Sequence, residues 1–219
     1  MMSRRLLLPA IVLLAAACAS SGVDRSSRAA STMQRTTTLV TRSQQQVDAT
    51  TAALDRLMSS SGTDLKKAFD AYAKQVARSR DVSRDLAEAH KEMIESRDNY
   101  FKGWTADADS IQDPELKRIA QERRSALNER AGSLVDAFTG VKEGMDTWLV
   151  SLTDIEKFLG NELTDGNVST LASTAKVGQV RSEGDALKQR LGDAERVIAD
   201  VRMQIAPGAM GLQPTTPNP

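Results

Sequence analysis

Residues 127–159 read LNERAGSLVDAFTGVKEGMDTWLVSLTDIEKFL. Leu127, Leu134, Val141, Trp148 and Ile155 recur at every seventh position, with Ala131, Phe138, Met145, Leu152 and Leu159 between them. Steps of four and three bring both columns onto one face of an α-helix, which is the seam of a coiled-coil-like packing. The stretch is bounded by its own punctuation. Upstream, Asp113-Pro114-Glu115 supplies an N-cap residue, a proline suited to the first helical position and an acid for the positive helix start. Leu116, Ile119 and Ala120 prefix the seam, and Gly160-Asn161 follows it. The spacing predicts one helix from residue 114 to about Leu159.

The same period extends in both directions. Before Pro114, one column holds Leu65, Tyr72, Ser79, Leu86, Met93 and Tyr100, and the other Phe69, Val76, Ser83, His90, Arg97, Trp104 and Ile111. This predicts a helix on the order of 65–70 Å long at ~1.5 Å per residue. Further upstream, Ser61-Gly62 breaks the chain, and Ser31 to Ser60 carries only half a seam. Met33, Val40, Val47 and Leu54 stand at sevens, but the complementary column is Thr36, Ser43 and Thr50 until Leu57 closes it. Such a helix must lean on a stronger neighbour. Downstream, Thr164-Asp165-Gly166-Asn167 makes a connection, and a last helix is expected from Val168 to Ile205, on Gly184, Leu191, Ile198 and Ile205 with Val180, Leu187, Ala194 and Val201. Strand-like alternation is lacking.

These elements define an all-α fold, an elongated antiparallel bundle of four long coiled-coil-like helices over residues 31–206. The second and third helices, richest in apolar seam, are expected to form the central hairpin. With the reversal near residue 113, His90 should face Asp136, Arg97 should face Glu129 or Arg130, and Gly140 and Gly144 should lie near Leu86 and Ser83. Residues 207–219 are Pro-rich and expected to be disordered.

Composition narrows the chemistry. The 219 residues carry 29 basic and 29 acidic side chains, one His and one Cys. Zero net charge without a basic stripe argues against a nucleic-acid partner. One cysteine excludes a disulfide framework and a cysteine-based zinc site. No Gly-x-Ser-x-Gly, P-loop or His-Glu-x-x-His motif occurs. Glu88 and His90 lack the Glu-x-x-His spacing of di-iron bundles. No cofactor, metal or catalytic residue is expected.

The N-terminus reads as an address. Arg4 and Arg5 precede an apolar run from Leu6 to Ala17, interrupted only by Pro9 and too short to span a bilayer. Cys18 follows Leu13-Leu14-Ala15-Ala16-Ala17, which resembles the lipobox of bacterial lipoproteins, with Ala15 where leucine is usual. The resemblance implies a signal peptide over residues 1–17 and lipidation of Cys18, which becomes the mature N-terminus. Residues 18–30 then read as a tether or frayed helix start. With Ala19 after the cysteine, analogy with enterobacterial sorting implies the outer membrane, facing the periplasm. A plain secretory signal cut after Ala-x-Ala is the alternative.

Two clusters remain. His90 and Arg97, with Asp136 and Glu129 opposite, make a polar layer that sets register, or a pH-sensitive or ligand-binding site. Tyr100, Phe101 and Trp104 are three of the eight aromatics. With Ile111, Leu116 and Ile119 they form a plug at the bundle end or a partner-binding patch. Gly140 and Gly144 permit close helix approach, or act as a hinge.

From about Tyr100 to Ile205 the chain resembles an uncharacterised bacterial family of secreted or lipidated helical proteins. The matching residues are Tyr100-Phe101-x-x-Trp104, Ile111-x-Asp113-Pro114-x-Leu116, Arg123 with Arg124-Ser125, and Gly160-Asn161-Glu162-Leu163-Thr164 before Gly166. The resemblance implies an all-helical envelope protein and brings no activity. The functional expectation is a membrane-anchored periplasmic module that holds another envelope protein. A ligand-sensing or carrier bundle is the alternative, and an enzyme acting on cell-wall polymer ranks last. Oligomerisation is left open, because the half-seam of the first helix could be completed by a second copy.

Overall fold

The computed structural model describes residues 13–205, with side chains from 22 onward. The expected Pro-rich tail and most of the expected signal peptide lie outside them. The elements are α1 (Leu13–Met58), a 3₁₀ turn (Gly62–Asp64), α2 (Leu65–Asp109), α3 (Pro114–Asn161), α4 (Asp165–Ala172) and α5 (Ala175–Ile205). Among the described residues there is no strand.

The ends follow local chemistry. Gly62 adopts φ +56°, the left-handed conformation that glycine takes without a Cβ penalty, and ends the α1 connection. Its amide donates to Asp165 Oδ1 at 2.9 Å, tying the α1–α2 turn to the start of α4. The Asp113 carboxylate accepts from the Leu116 amide at 2.9 Å, with Pro114 opening α3 as expected. The single last helix expected from Val168 is instead two. The Thr174 amide and hydroxyl both donate to the Leu171 carbonyl, and the hydroxyl accepts from the Lys176 amide at 3.3 Å. Thr174 thus closes one helix and caps the next, a competition with regular helical bonding that Ser and Thr favour.

The four long helices form a closed ring in which α1 and α3 each pack against both α2 and α5. No hairpin is central. The half-seam of α1 is completed inside the chain. Thr36, Ser43 and Thr50 are buried, and their hydroxyls donate to the Thr32, Leu39 and Gln46 carbonyls one turn back at 2.8–2.9 Å. The satisfied hydroxyls occupy little volume and let α2 come close. Thr50 Oγ1 lies 2.9 Å from Ser79 Oγ, both fully buried, and Gln46 Nε2 donates to Gln75 Oε1 at 3.1 Å.

Buried aromatics lock the middle of the ring. Trp148 of α3 donates its indole N–H to the Val180 carbonyl of α5 at 3.1 Å, and Tyr72 of α2 donates its hydroxyl to the Leu152 carbonyl of α3 at 2.8 Å. The seam glycine Gly184 has a reason here. A Cβ there would lie 3.2 Å from Trp148 Nε1 and 3.4 Å from Val47 Cγ1, so its absence admits the indole between α5 and α1. Every ring interface also carries an ion pair: Arg42–Asp85, Arg80–Glu156, Arg130–Asp200 and Lys188–Asp48. Each is partly exposed and worth ~0–1 kcal/mol, so the pairs mark the antiparallel register more than they hold the fold.

The helices are staggered. α5 reaches Ile205 beside Ala29 and Leu127, the first buried residue of α3, whereas α1 and α2 continue past that level to the Arg25–Asp107 pair. The first turns of α3 project with Leu116 58% and Ile119 47% exposed. Arg118 bonds Glu115 and Glu122 at 2.6 and 2.5 Å along this overhang, and holds the Glu115 carboxyl below its usual pKa. Such i,i+3 and i,i+4 pairs support a helix with few tertiary contacts.

Residues 18–30, expected as a tether or frayed start, belong to α1, and Ala29 is buried. Their packing uses small residues and the aliphatic stem of Arg25, which periodicity does not reveal. The stem crosses α2 at Gly103, where a Cβ would lie 2.9 Å from Arg25 Cδ.

Candidate functional site

The register decides the expected polar layer against it. His90 Nε2 lies 3.3 Å from Thr139 Oγ1, three residues beyond Asp136, and Ser83–Asp146 and Arg124–Thr105 keep the same offset. The cause is the turn. Asp113 and Pro114 start α3 before the reversal is complete, so the first turn of α3 overhangs and every facing position moves almost one turn along. Asp136 and Glu129 are exposed, and Arg97, half-buried, pairs with its neighbour Asp98 at 2.8 Å. Gly140 and Gly144 face α5 instead of Leu86 and Ser83: Arg190 donates to the Gly140 carbonyl at 2.7 Å, and its Cδ lies 3.3 Å from where a Gly144 Cβ would be. A buried polar pair does form between α1 and α2, Thr50 with Ser79, bordered by Gln46 and Gln75. Thr50 and Ser79 stood among the seam residues, but nothing marked them as a bonded pair.

The aromatic cluster does assemble. Tyr100 meets Phe101 and Trp104 edge-to-face at centroid distances of 5.2 and 5.8 Å, and Phe101 and Trp104 stack at 6.5 Å. Such pairs are worth ~0.5–1.5 kcal/mol beyond their burial. All three are half-buried against the core. Leu116 and Ile119, expected to close the plug, are exposed.

Where α5 ends against this cluster, the four long helices part around an apolar cavity of about 50 Å³. Met33 of α1, Met93 and Tyr100 of α2, Leu127 of α3, and Ile198 and Ile205 of α5 line it. Ser96 and Tyr100 also border a second, polar hollow of about 340 Å³ between α1 and α2, whose other walls are Arg25, Arg28 and Asn99. Arg25 is held over Gly103 by its pair with Asp107. No carboxylate lines the hollow. Sequence periodicity located Tyr100 and Arg97 here. It also places Met33 of α1 here, but not Arg25, Arg28 and Ala29, which fall in the segment that reads as a tether.

Cys18 lies within α1, whose helix runs unbroken from there into the bundle. No helix among the described residues is long and apolar enough to cross a membrane, and no group of three or more His, Cys, Asp or Glu side chains there could hold a metal ion.

The chain belongs to the family described as "Protein of unknown function (DUF2959)", which matches residues 16–205. The match takes in all of α2 to α5 and nearly all of α1, well beyond the stretch that carried the sequence resemblance. No curated protein and no solved structure matches.

Proposed function

We propose that this chain is a lipoprotein of the bacterial envelope, acylated on Cys18, held at the outer membrane facing the periplasm, and serving as a non-catalytic module that holds another envelope protein. The observation that carries the reading is the placement of the only cysteine at the end of a lipobox-like run, in a helix continuous with the bundle. Because Arg25 pairs with Asp107, the α1–α2 register sets Cys18 level with the turn between α2 and α3. An anchor there leaves the rest of α1, residues 18–58, to rise about 60 Å from the lipid surface at ~1.5 Å per residue. Two or more acyl chains make such an anchor stable, whereas one does not. Exposed Val150 and Phe158 on α3 offer contact points far from the anchored end.

The test is fractionation of cells that carry Cys18→Ser. The variant should leave the membrane fraction or accumulate with its signal peptide uncleaved, with no lipid on residue 18. Normal processing and membrane retention would overturn the anchor. Periplasmic crosslinking with mass spectrometry tests the module: one reproducible protein partner is expected, and none across several crosslinkers would overturn it.

A further inference from the structure

We propose that the two adjoining cavities at the α5 end of the bundle bind a single-chain anionic amphiphile, with its head on Arg28 and the neighbouring donors and the end of its acyl chain among Met33, Met93 and Leu127. This goes beyond the anchored-module reading and does not depend on it.

Two chemically opposite spaces share a wall. The polar hollow is lined by Arg25, Arg28, Ser96, Asn99 and Tyr100, whose side chains carry two guanidinium groups, two hydroxyls and an amide. All of them can donate, and two carry positive charge with no negative one beside them in the lining, which suits an anion over a cation. Arg25 is engaged with Asp107, so it adds charge and shape, while Arg28 has no carboxylate partner among the described residues. The second space is apolar. At about 50 Å³ it has several times the room that one water needs, yet its walls offer few of the partners a buried water requires. It is about a third of the ~150 Å³ engineered cavity that takes benzene. An alkyl end fits that space where a ring does not. Met33 and Met93 are unbranched and can shift to admit more of a chain.

Ser96 and Tyr100 belong to both linings, so the two spaces adjoin, and the proposed molecule spans them past these two side chains. A free anion would leave the apolar part unfilled, and an uncharged chain would leave the donors unused. A carboxylate or a phosphate meets the same donors, and the head is therefore specified as anionic without choosing between a fatty acid and a phosphate-headed chain.

The experiment uses the full chain, released from an uncharged detergent and examined by native mass spectrometry. It is titrated separately with dodecanoate, dodecyl phosphate, dodecanol, dodecyltrimethylammonium and inorganic phosphate. One equivalent of dodecanoate or dodecyl phosphate should bind at least tenfold more tightly than dodecanol or the ammonium. The better of the two anions identifies the head class. Arg28→Glu, an exposed substitution that should leave the helical circular dichroism unchanged, should remove that preference. Ala131→Phe, placed to fill the apolar part, should weaken every chain alike. Equal binding of dodecanol or the ammonium would overturn the proposal in favour of a nonselective apolar surface. Phosphate binding as tightly as dodecyl phosphate would overturn it in favour of a plain anion site, and an unchanged preference in a folded Arg28→Glu chain would remove the head assignment.

Discussion

Tyr72→Phe isolates one buried group and produces a sign change with pH. Tyr72 is fully buried, and its hydroxyl donates to the Leu152 carbonyl at 2.8 Å. Removing the oxygen leaves the ring packing in place and leaves Leu152 its own helical bond. The cost at pH 7 is therefore one net hydrogen bond, about 1 kcal/mol. Burial, reinforced by the negative charge of Glu156 and opposed by Arg80, pushes the phenol of the folded state far above its ordinary value of 10.0. Above pH 10 the unfolded chain then releases the Tyr72 proton and the native chain keeps it. Stability contributed by that group is complete below pH 10 and falls by about 1.4 kcal/mol per pH unit above it. The phenylalanine variant lacks this loss, and all other titrations are common to both chains. The two stability curves should therefore cross at about pH 10.7, where the loss matches the hydrogen bond of about 1 kcal/mol. Urea unfolding followed at 222 nm from pH 7 to 11.5, with equal m-values required, measures the difference. A gap that stays constant through pH 11.5, or a variant more stable at pH 7, would refute the reasoning.

Other substitutions probe the packing. Gly184→Ala improves helix propensity by about 1 kcal/mol but forces Trp148 and Val47 apart, at about 1–3 kcal/mol, so the melting temperature should fall and a rise would contradict the close approach. Asp113→Ala should cost about 1 kcal/mol through the lost cap on Leu116, and Asp113→Asn, which can still accept, should cost much less in the same denaturation assay. Gly103→Ala should displace the Arg25 stem and loosen the pair with Asp107. Its readout is faster amide exchange over residues 22–28 with little change in global stability, and unchanged exchange there would argue against the contact.

Much of this fold was legible because its signals are local. The seven-residue columns around Trp148 and Leu191, the Asp113-Pro114 start and the Ser61-Gly62 break each depend on residues within a turn or two of one another. The candidate site was legible only in part. Tyr100, Phe101, Trp104 and Arg97 stood out by type and period. Of their α1 partners Met33 lay in the half-seam, but Arg25 and Ala29 did not stand out, because Arg25 packs through its stem against a glycine and Ala29 through its smallness. Glu129 and Asp136 fall outside the layer assigned to them because neither stands in a seam column of α3, and the α2–α3 turn sets His90 beside Thr139 instead of Asp136.

The sequence by itself determined that this chain is all helix, where most helices start and stop, and which column of each faces inward, since those properties follow from 3.6-residue geometry and end chemistry. It also placed the lone cysteine beside a lipobox-like run. Only the tertiary structure decided the stagger of the helices, the closed ring in place of a central hairpin, the pairing of Thr50 with Ser79 and the admission of Trp148 by Gly184. The same stagger leaves the two adjoining cavities beside Tyr100. These features depend on residues far apart in the chain meeting at set distances, and the periodic pattern is unchanged when one helix slides along another by a turn.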